Sequence, residues 1–184
     1  MNDVHQLEHN EYIHDNKKFP IYLILDNVEE DFNIASMFRL SDAFGVRKIY
    51  LCGNYENLNI KKIDKISRHT TKFTDYEFCD SIENCLTKLK KDGCKIIALE
   101  VTNKSLSLNT INFTKDTRIA ILIGNEKHGV SELGLNLSDE YYQIDMFGNN
   151  SSINVAIATG IALDKCANLM RRWEKCLILV EVKL

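Results

Sequence analysis

Residues 119–131 read IAILIGNEKHGVS. The run from Ile119 to Ile123 is uninterrupted by polar residues, whereas a strand with one face in water alternates apolar and polar residues. The run therefore predicts a strand that is buried on both faces. Gly124 and Gly129 bracket the polar residues that follow, a pattern typical of a sharp turn that lets backbone approach a ligand closely.

Similar apolar runs recur along the chain and alternate with helix-like segments. We predict further strands at residues 21–25, 48–51, 95–99 and 141–145, and helices at residues 33–45, 59–68, 80–91 and 152–172. Strands of continuous apolar character, separated by helices, predict an α/β fold with a mostly parallel sheet and helices on both faces. Ligands of such sheets bind beyond the carboxyl ends of the strands.

The first and last helices carry more specific signals. Asn33 is a good N-cap residue and Gly45 a good residue just past a helix end, so they predict the limits of the first helix. The segment 152–172 is apolar on nearly all sides, which predicts a helix buried all round. Small residues such as Gly160 keep part of it slim enough for neighbouring backbone to come close.

The length of 184 residues favours one domain, and 45% apolar with 27% charged residues is typical of a globular chain. We expect the domain at residues 21–176, a tail or extra helix at 1–20 and a tail at 177–184. The chain has no apolar run of about 18 residues, the minimum for a membrane span. Acidic residues stand where a signal peptide needs a basic start, so we expect a cytoplasmic protein.

The formal net charge of −3 argues against a protein that coats nucleic acid through bulk positive charge. A nucleic-acid site must then be local. Residues 61–72 offer a candidate, with Lys61, Lys62, Lys65, Arg68 and Lys72 against the single acid Asp64. A solvated helix face is the alternative interpretation of the same residues.

The six cysteines, Cys52, Cys79, Cys85, Cys94, Cys166 and Cys176, include no pair at Cys-x-x-Cys spacing. We expect reduced thiols, several of them in the core, and no metal site. The sequence also lacks the G-x-G-x-x-G and G-x-x-x-x-G-K-[ST] motifs, which argues against a nicotinamide enzyme or a P-loop kinase.

Three polar loops follow predicted strands, and each has two interpretations. In the first, Arg39 can reach a phosphate or substrate oxygen from its helix, or can be a plain surface residue. In the second, Glu126 can accept hydrogen bonds at the strand end, or can cap the short helix after Ser131. In the third, residues 144–155 concentrate small polar groups before a helix, a pattern that suits anion binding and exceeds the needs of an N-cap.

The order of these loops resembles a known family. The matching segments are Asn33…Arg39…Phe44-Gly45, Gly124-Asn125-Glu126-x-x-Gly129 and Ile144-x-Met146-x-Gly148-x-x-x-Ser152-x-Asn154-Val155. Together they resemble the three signature motifs of the SpoU/TrmH family of RNA ribose 2′-O-methyltransferases, in the SPOUT superfamily. The resemblance extends over roughly residues 21–170.

The resemblance implies an α/β domain whose carboxy-terminal part forms a deep trefoil knot, although threaded chains are rare. It also implies homodimers that bind S-adenosylmethionine and methylate a ribose 2′-hydroxyl of RNA. We expect tRNA as the substrate, because small stand-alone members resemble tRNA enzymes. The alternatives are rRNA, a non-catalytic RNA-binding module of the same fold, and a nucleotide-binding enzyme outside the family.

Site residues follow from the resemblance by position. Arg39 matches the catalytic arginine, and it acts either as an assisted base or as an electrostatic positioner. The supporting residues are Asn33, Glu126, Ser152 and Asn154. The cofactor-binding residues are Leu99, Gly124, Ile144, Met146, Ser152 and Ile153.

Two positions depart from the family pattern. Asp145 stands where proline is usual, and Ala156 stands where serine is common. The first change predicts a carboxylate near the cofactor wall, able to pair with a cation or to alter cofactor binding.

Overall fold

The computed structural model describes residues 5–8, 11, 13, 15–114 and 116–181, the last eight of them as backbone. The strands are β1 Ile21–Asp26, β2 Lys48–Cys52, β3 Asp75–Cys79, β4 Cys94–Leu99, β5 Leu106–Ser107, β6 Arg118–Ile123 and β7 Glu140–Gln143. The helices are α1 Asp31–Ala43, α2 Ile60–Ile66, α3 Ile82–Lys91, α4 Glu132–Asn136 and α5 Val155–Glu181, with one-turn 3₁₀ helices at Thr70–Lys72 and Leu108–Thr110. The predicted alternation of strands and helices is confirmed.

The strands form one seven-stranded sheet in the order β3-β2-β1-β6-β4-β7-β5, and every neighbouring pair is parallel. β6 lies between β1 and β4, with Leu25 opposite Ile123 and Ala98 opposite Leu122. The chain first builds outward from β1 to β3 and then continues on the other side of β1. Loops that leave the carboxyl ends of β1, β4 and β6 therefore meet at this switch in strand order, where such sheets bind ligands.

Both faces of the sheet are covered. On one face Leu23 and Leu25 pack in a cluster with Phe38 of α1 and Leu163 of α5. On the other face Ile24 packs in a cluster with α3 and α4. The side chains of β1 from Leu23 to Leu25 are fully buried, which explains why the central strands have no polar alternation.

The first helix begins two residues earlier than predicted. Asp31 is its first residue and Glu30 its N-cap, so the predicted N-cap role of Asn33 is wrong. The reason is tertiary: the Glu126 carboxylate accepts the backbone N–H groups of Glu29 and Glu30, at 3.2 and 3.1 Å. The predicted end is confirmed, because Ala43 is the last residue and Gly45 has a φ of +64°.

The last helix is longer and less buried than predicted. It starts at Val155, with the Asn154 side chain accepting the Ala156 N–H at 2.8 Å, and it continues past residue 176 to Glu181. Its inner face is buried, but Ile157 and Ile161 are 59% and 43% exposed. The prediction that α5 is buried on all sides is therefore wrong for a single copy of the chain, in which one apolar face of the helix is exposed.

The slim part of α5 packs against a side chain rather than against neighbouring backbone. A Cβ added at Gly160 would lie 3.2 Å from Cδ2 of Leu40, so the glycine leaves room for that side chain of α1.

Before β1, the described residues contain no helix. Phe19 already belongs to the core, and its N–H donates to the carbonyl of Gly45 at 2.7 Å. No helix among the described residues has both the length and the apolar character needed to cross a membrane.

Candidate active site

A cavity of about 310 Å³ opens at the carboxyl edge of the sheet, between the loops that follow β4, β6 and β7 and the start of α5. It contains all six residues predicted to bind the cofactor, namely Leu99, Gly124, Ile144, Met146, Ser152 and Ile153. The other lining residues are Glu100, Val101, Asn125, Glu126, Lys127, Gly129, Gln143, Ser151, Val155 and Ala158. Three segments that are distant in sequence thus form one concave surface.

The loop after β6 is folded tightly against itself. Asn125 and Gly129 exchange two backbone hydrogen bonds, of 3.0 and 2.9 Å. A side chain at Gly124 would overlap the backbone of Gly129, and Gly129 itself has a φ of +67°. Both glycines are therefore required by the turn and by the close approach of backbone, as the sequence pattern predicted.

Asn125 holds this loop to the rest of the site. Its Nδ2 donates to the carbonyl of Asn27 at 2.7 Å, and its Oδ1 accepts the N–H of Lys127 at 2.9 Å. The side chain thus fixes the β6 loop against the loop that follows β1.

Three of the predicted supporting residues form a continuous hydrogen-bonded chain. Asn33 Nδ2 donates to Glu126 Oε1 at 2.8 Å, and Asn154 Nδ2 donates to Asn33 Oδ1 at 3.0 Å. Asn33 is buried, while Asn154 also caps α5. The chain links the first turn of α1, the β6 loop and the start of α5.

The Glu126 carboxylate is held in its ionised form. Partial burial raises its pKa, but hydrogen bonds from Asn33 and from the backbone N–H groups of Glu29 and Glu30 outweigh that effect. The net result is a pKa below the ordinary value for glutamic acid. The alternative role for Glu126, as a cap of the helix after Ser131, is wrong, because it satisfies the start of α1.

Arg39 and Ser152 are not part of this chain. Ser152 is exposed at the wall of the cavity. Arg39 is exposed on α1, six residues after Asn33 and thus about 9 Å further along the helix. Among the described residues Arg39 has no hydrogen-bond partner, and it does not line the cavity.

Asp145 lies differently from the expectation. Its carboxylate accepts hydrogen bonds from the Ser107 hydroxyl and from Asn109 Nδ2, the second at 3.3 Å. Ile144 and Met146 line the cavity, whereas Asp145 does not. The expected carboxylate at the cofactor wall is therefore absent from that position.

Glu100 lines the cavity but is not among the residues that the sequence predicts there. Its Oε2 accepts the N–H of Val130 at 3.0 Å and its Oε1 that of Val101 at 2.9 Å, so it joins the loops after β4 and β6. A usable signal was present, because Glu100 is an acid that directly follows a buried strand. Gln143 also lines the cavity, but no feature of the sequence around it predicted that position.

A second cavity of about 250 Å³ lies at the loops that follow β1 and β2. Its lining residues are Asn27, Val28, Glu29, Asp31, Asn54, Tyr55, Asn57 and Leu58. Asp31 forms an ion pair of 2.6 Å with Lys62, which connects this cavity to the basic segment at 61–72. The five basic side chains of that segment are all exposed.

Known proteins share this sequence and this arrangement of elements. The profile of the SpoU rRNA Methylase family matches residues 20–164. The chain belongs to the SpoU rRNA methylase family. One relative in the family, the tRNA (guanosine(18)-2'-O)-methyltransferase of Aquifex aeolicus, is 30% identical over 143 residues, which are 78% of this chain and 66% of the relative. The chain thus spans just under two thirds of that relative's length.

Solved structures of the SpoU family have the same fold. The A. aeolicus TrmH/SpoU tRNA modifying enzyme aligns with a TM-score of 0.76 and 24% identity over 85% of this chain and 78% of that one. The AdoMet-bound rRNA methyltransferase from Sinorhizobium meliloti aligns with a TM-score of 0.73 and 23% identity over 85% of this chain and 58% of that one. At these identities the likeness concerns the fold alone.

Proposed function

We propose that this SpoU family member is an S-adenosylmethionine-dependent RNA methyltransferase that acts on a ribose 2′-hydroxyl, with tRNA as its substrate. The observation that carries the proposal is the position of the cavity, which adjoins the hydrogen-bonded chain of Glu126, Asn33 and Asn154. The name of the A. aeolicus relative supports the choice of tRNA. A tRNA substrate also implies a cytoplasmic location.

The cavity residues suit S-adenosylmethionine. Leu99, Ile144 and Met146 offer apolar contacts for an adenine ring, and Glu100 offers carboxylate oxygens to ribose hydroxyls. The volume of about 310 Å³ lies within the range of small-ligand pockets. When bound, this cofactor supplies a methyl group on a positively charged sulfur.

The remaining residues handle the RNA. A ribose 2′-hydroxyl is a poor nucleophile, so its oxygen must be polarised and its proton removed while the reacting atoms are aligned. Arginine stays protonated in proteins, so we assign Arg39 to polarising that oxygen and holding an adjacent RNA phosphate, which receives the hydroxyl proton as the methyl group is transferred. Glu126, Asn33 and Asn154 fix the geometry of α1, from which Arg39 projects.

We infer that the site is completed by a second copy of the chain. Phe32 is 71% exposed and shares one face of α1 with Arg39, seven residues on, while Ile157 and Ile161 give α5 an exposed apolar face. Burying these side chains in a homodimer would bring Arg39 to the partner's surface. We also infer the deep trefoil knot of the family, which the fold likeness supports.

The basic segment at 61–72 is the proposed contact for the RNA backbone. Lys61, Lys65, Arg68 and Lys72 are exposed, and their local charge opposes the net charge of the chain. Phosphate contacts of this kind add affinity without sequence preference.

The test is incubation of the purified protein with radiolabelled S-adenosylmethionine and, separately, with total tRNA or total rRNA. Nuclease digestion and nucleoside identification then locate the label. A labelled 2′-O-methyl nucleoside from tRNA is the expected result. Label in rRNA alone would move the substrate to rRNA, and cofactor binding without transfer to either pool would favour the non-catalytic module.

A further inference from the structure

Three cysteines that are distant in sequence meet on the outer half of the sheet. Cys52 is the last residue of β2, Cys79 is the last residue of β3, and Cys85 lies in the first half of α3. Their three Sγ atoms all lie within 4.8 Å of one another. Cys52 and Cys85 are buried, whereas Cys79 is half-buried and gives the cluster a side that faces solvent.

The fold explains this meeting. Cys52 and Cys79 are register partners on neighbouring parallel strands, so their side chains share one face of the sheet. Helix α3 packs on that face, and Cys85 and Leu86 belong to the same core cluster as Cys52. Because the three thiols come from two strands and a helix, the cluster cannot be predicted from the spacing of the cysteines in the sequence.

We propose that Cys52, Cys79 and Cys85 form a three-thiolate site for a soft cation, Zn²⁺ or Cu⁺. Thiolate ligands select these ions over Mg²⁺ or Ca²⁺. A Zn–S bond is about 2.3 Å long, so three sulfurs around one ion lie about 4 Å apart. The cluster therefore needs an adjustment of less than about 1 Å to close on a metal.

Nearby charges fit a bound cation with three thiolates. Glu77 on β3 accepts hydrogen bonds from Lys48 at 2.5 Å and from Lys88 at 3.3 Å. Lys88 also lies over the Tyr50 ring, 5.9 Å from its centroid, on the same face as the cluster. A Zn²⁺ ion with three thiolates carries one net negative charge, which Lys88 is placed to offset.

Metal binding at this site releases protons. A soft metal ion is bound by thiolates rather than thiols, so each cysteine that is protonated before binding gives up its proton to the solvent.

The site is separate from the proposed methyl-transfer chemistry. The larger of the two cavities lies between the loops that follow β4, β6 and β7 and the start of α5, and none of the three cysteines lines it. A metal here would join the ends of β2 and β3 to α3. Its role is to stabilise the outer half of the sheet, because an ion that binds the folded chain alone shifts the equilibrium towards folding.

The experiment uses the full, reduced protein under anaerobic conditions. Separate titrations use Zn²⁺, Cu⁺, and Cd²⁺, which serves as a spectroscopic substitute for Zn²⁺. Each titration records the near-ultraviolet sulfur-to-metal absorption and the melting temperature. We expect one equivalent to bind and the melting temperature to rise. The variant Cys85→Ser should lower the affinity at least tenfold, whereas Cys94→Ser and Cys166→Ser, at buried thiols elsewhere, should not.

A second measurement is independent of any variant. Bound metal should protect Cys52, Cys79 and Cys85 from alkylation, as mapped by mass spectrometry of peptides, and should leave the reactivity of Cys94 unchanged. Absorption that persists in Cys85→Ser, or an equal stoichiometry without protection of these three cysteines, would overturn the proposal. The proposal would also be overturned if the reduced protein bound no metal and the cluster formed a disulfide in air.

Discussion

Asn33 and Glu126 stand 93 residues apart in the chain and are joined by a hydrogen bond of 2.8 Å from Asn33 Nδ2 to Glu126 Oε1. The same carboxylate accepts two backbone N–H groups at the start of α1. One side chain from the β6 loop therefore fixes both the helix that carries Arg39 and the amide that reaches Asn154. This links the stability of α1 to the geometry of the proposed site.

Replacing Glu126 by glutamine should destabilise the protein. The amide has one acceptor oxygen where the carboxylate has two, so at least one donor of the cluster loses its partner. We expect a loss of about 1–3 kcal/mol in the free energy of unfolding and a lower rate of methyl transfer. Urea denaturation measures the first effect. The control Glu56→Gln, at an exposed loop residue, should change stability by less than about 0.5 kcal/mol.

The same carboxylate predicts a pH dependence. Its pKa is lower in the folded protein than in the unfolded chain, where it is about 4.3. The unfolded chain therefore takes up the proton first, and the contribution of Glu126 is fully present above about pH 5. It is lost as the pH falls through the folded-state pKa. The difference in unfolding free energy between the wild type and Glu126→Gln should narrow from pH 6 to pH 3, and a constant difference would contradict this assignment.

The variant Arg39→Ala should lose methyl transfer by about 100-fold or more and keep its cofactor affinity. Arg39 is exposed and lies outside the cavity, so its removal should change stability by less than about 0.5 kcal/mol. Single-turnover transfer from labelled S-adenosylmethionine and equilibrium binding of S-adenosylhomocysteine measure the two effects. The control variant is Arg47→Ala, because Arg47 is also exposed but lies at the opposite edge of the sheet. Transfer at the parent rate would remove Arg39 from the chemistry.

The double variant Lys65→Gln, Arg68→Gln should weaken RNA binding in a salt-dependent way. Each lost phosphate contact reduces the slope of log K against log salt concentration by about 0.7–0.9. A fall of about 1.4–1.8 in that slope is therefore expected. Filter binding from low to moderate salt gives the slope. The control Lys91→Gln, at an exposed residue at the far end of α3, should leave the slope unchanged. An unaltered slope in the double variant would instead favour the interpretation of residues 61–72 as a solvated helix face.

The features that could be predicted depend on local pattern. The run from Ile119 to Ile123 is buried on both faces of the sheet. Burial on both faces requires apolar residues at consecutive positions, which the sequence shows directly. The glycine turn after it follows from backbone geometry at two positions. The family resemblance, rather than any local pattern, supplied the six predicted cofactor residues, all of which line the cavity.

The features that were missed depend on tertiary partners. The sequence pattern predicts Asn33 as a helix cap because its hydrogen-bond partner, Glu126, is far along the chain. The partners of Asp145, Ser107 and Asn109, are likewise distant in sequence, so no local pattern shows that its carboxylate hydrogen-bonds to them instead of lining the cavity. The cysteine cluster needs the pairing of β2 with β3, which no spacing encodes.

Helix α5 has an exposed apolar face near its start. Ile157 and Ile161 stand one turn apart, and Phe32 of α1 is also exposed, whereas the next positions on this face of α5 are Asp164 and Asn168. An exposed apolar area of this kind is typical of an interaction site, which supports the proposed homodimer.

A charge placed within that area should therefore separate the two copies. We expect Ile157→Asp to convert a dimer into a monomer in sedimentation equilibrium, and Asn168→Lys, two turns beyond Ile161, to leave the dimer intact. If Arg39 acts on the partner's site, the monomer loses methyl transfer even though its own cavity is unchanged. Mixing Arg39→Ala with a variant whose cavity is filled, Ala158→Phe, should then restore transfer, because one of the two sites in a mixed dimer has both an intact cavity and an intact arginine. Wild-type protein that sediments as a monomer and still methylates RNA would exclude the shared site.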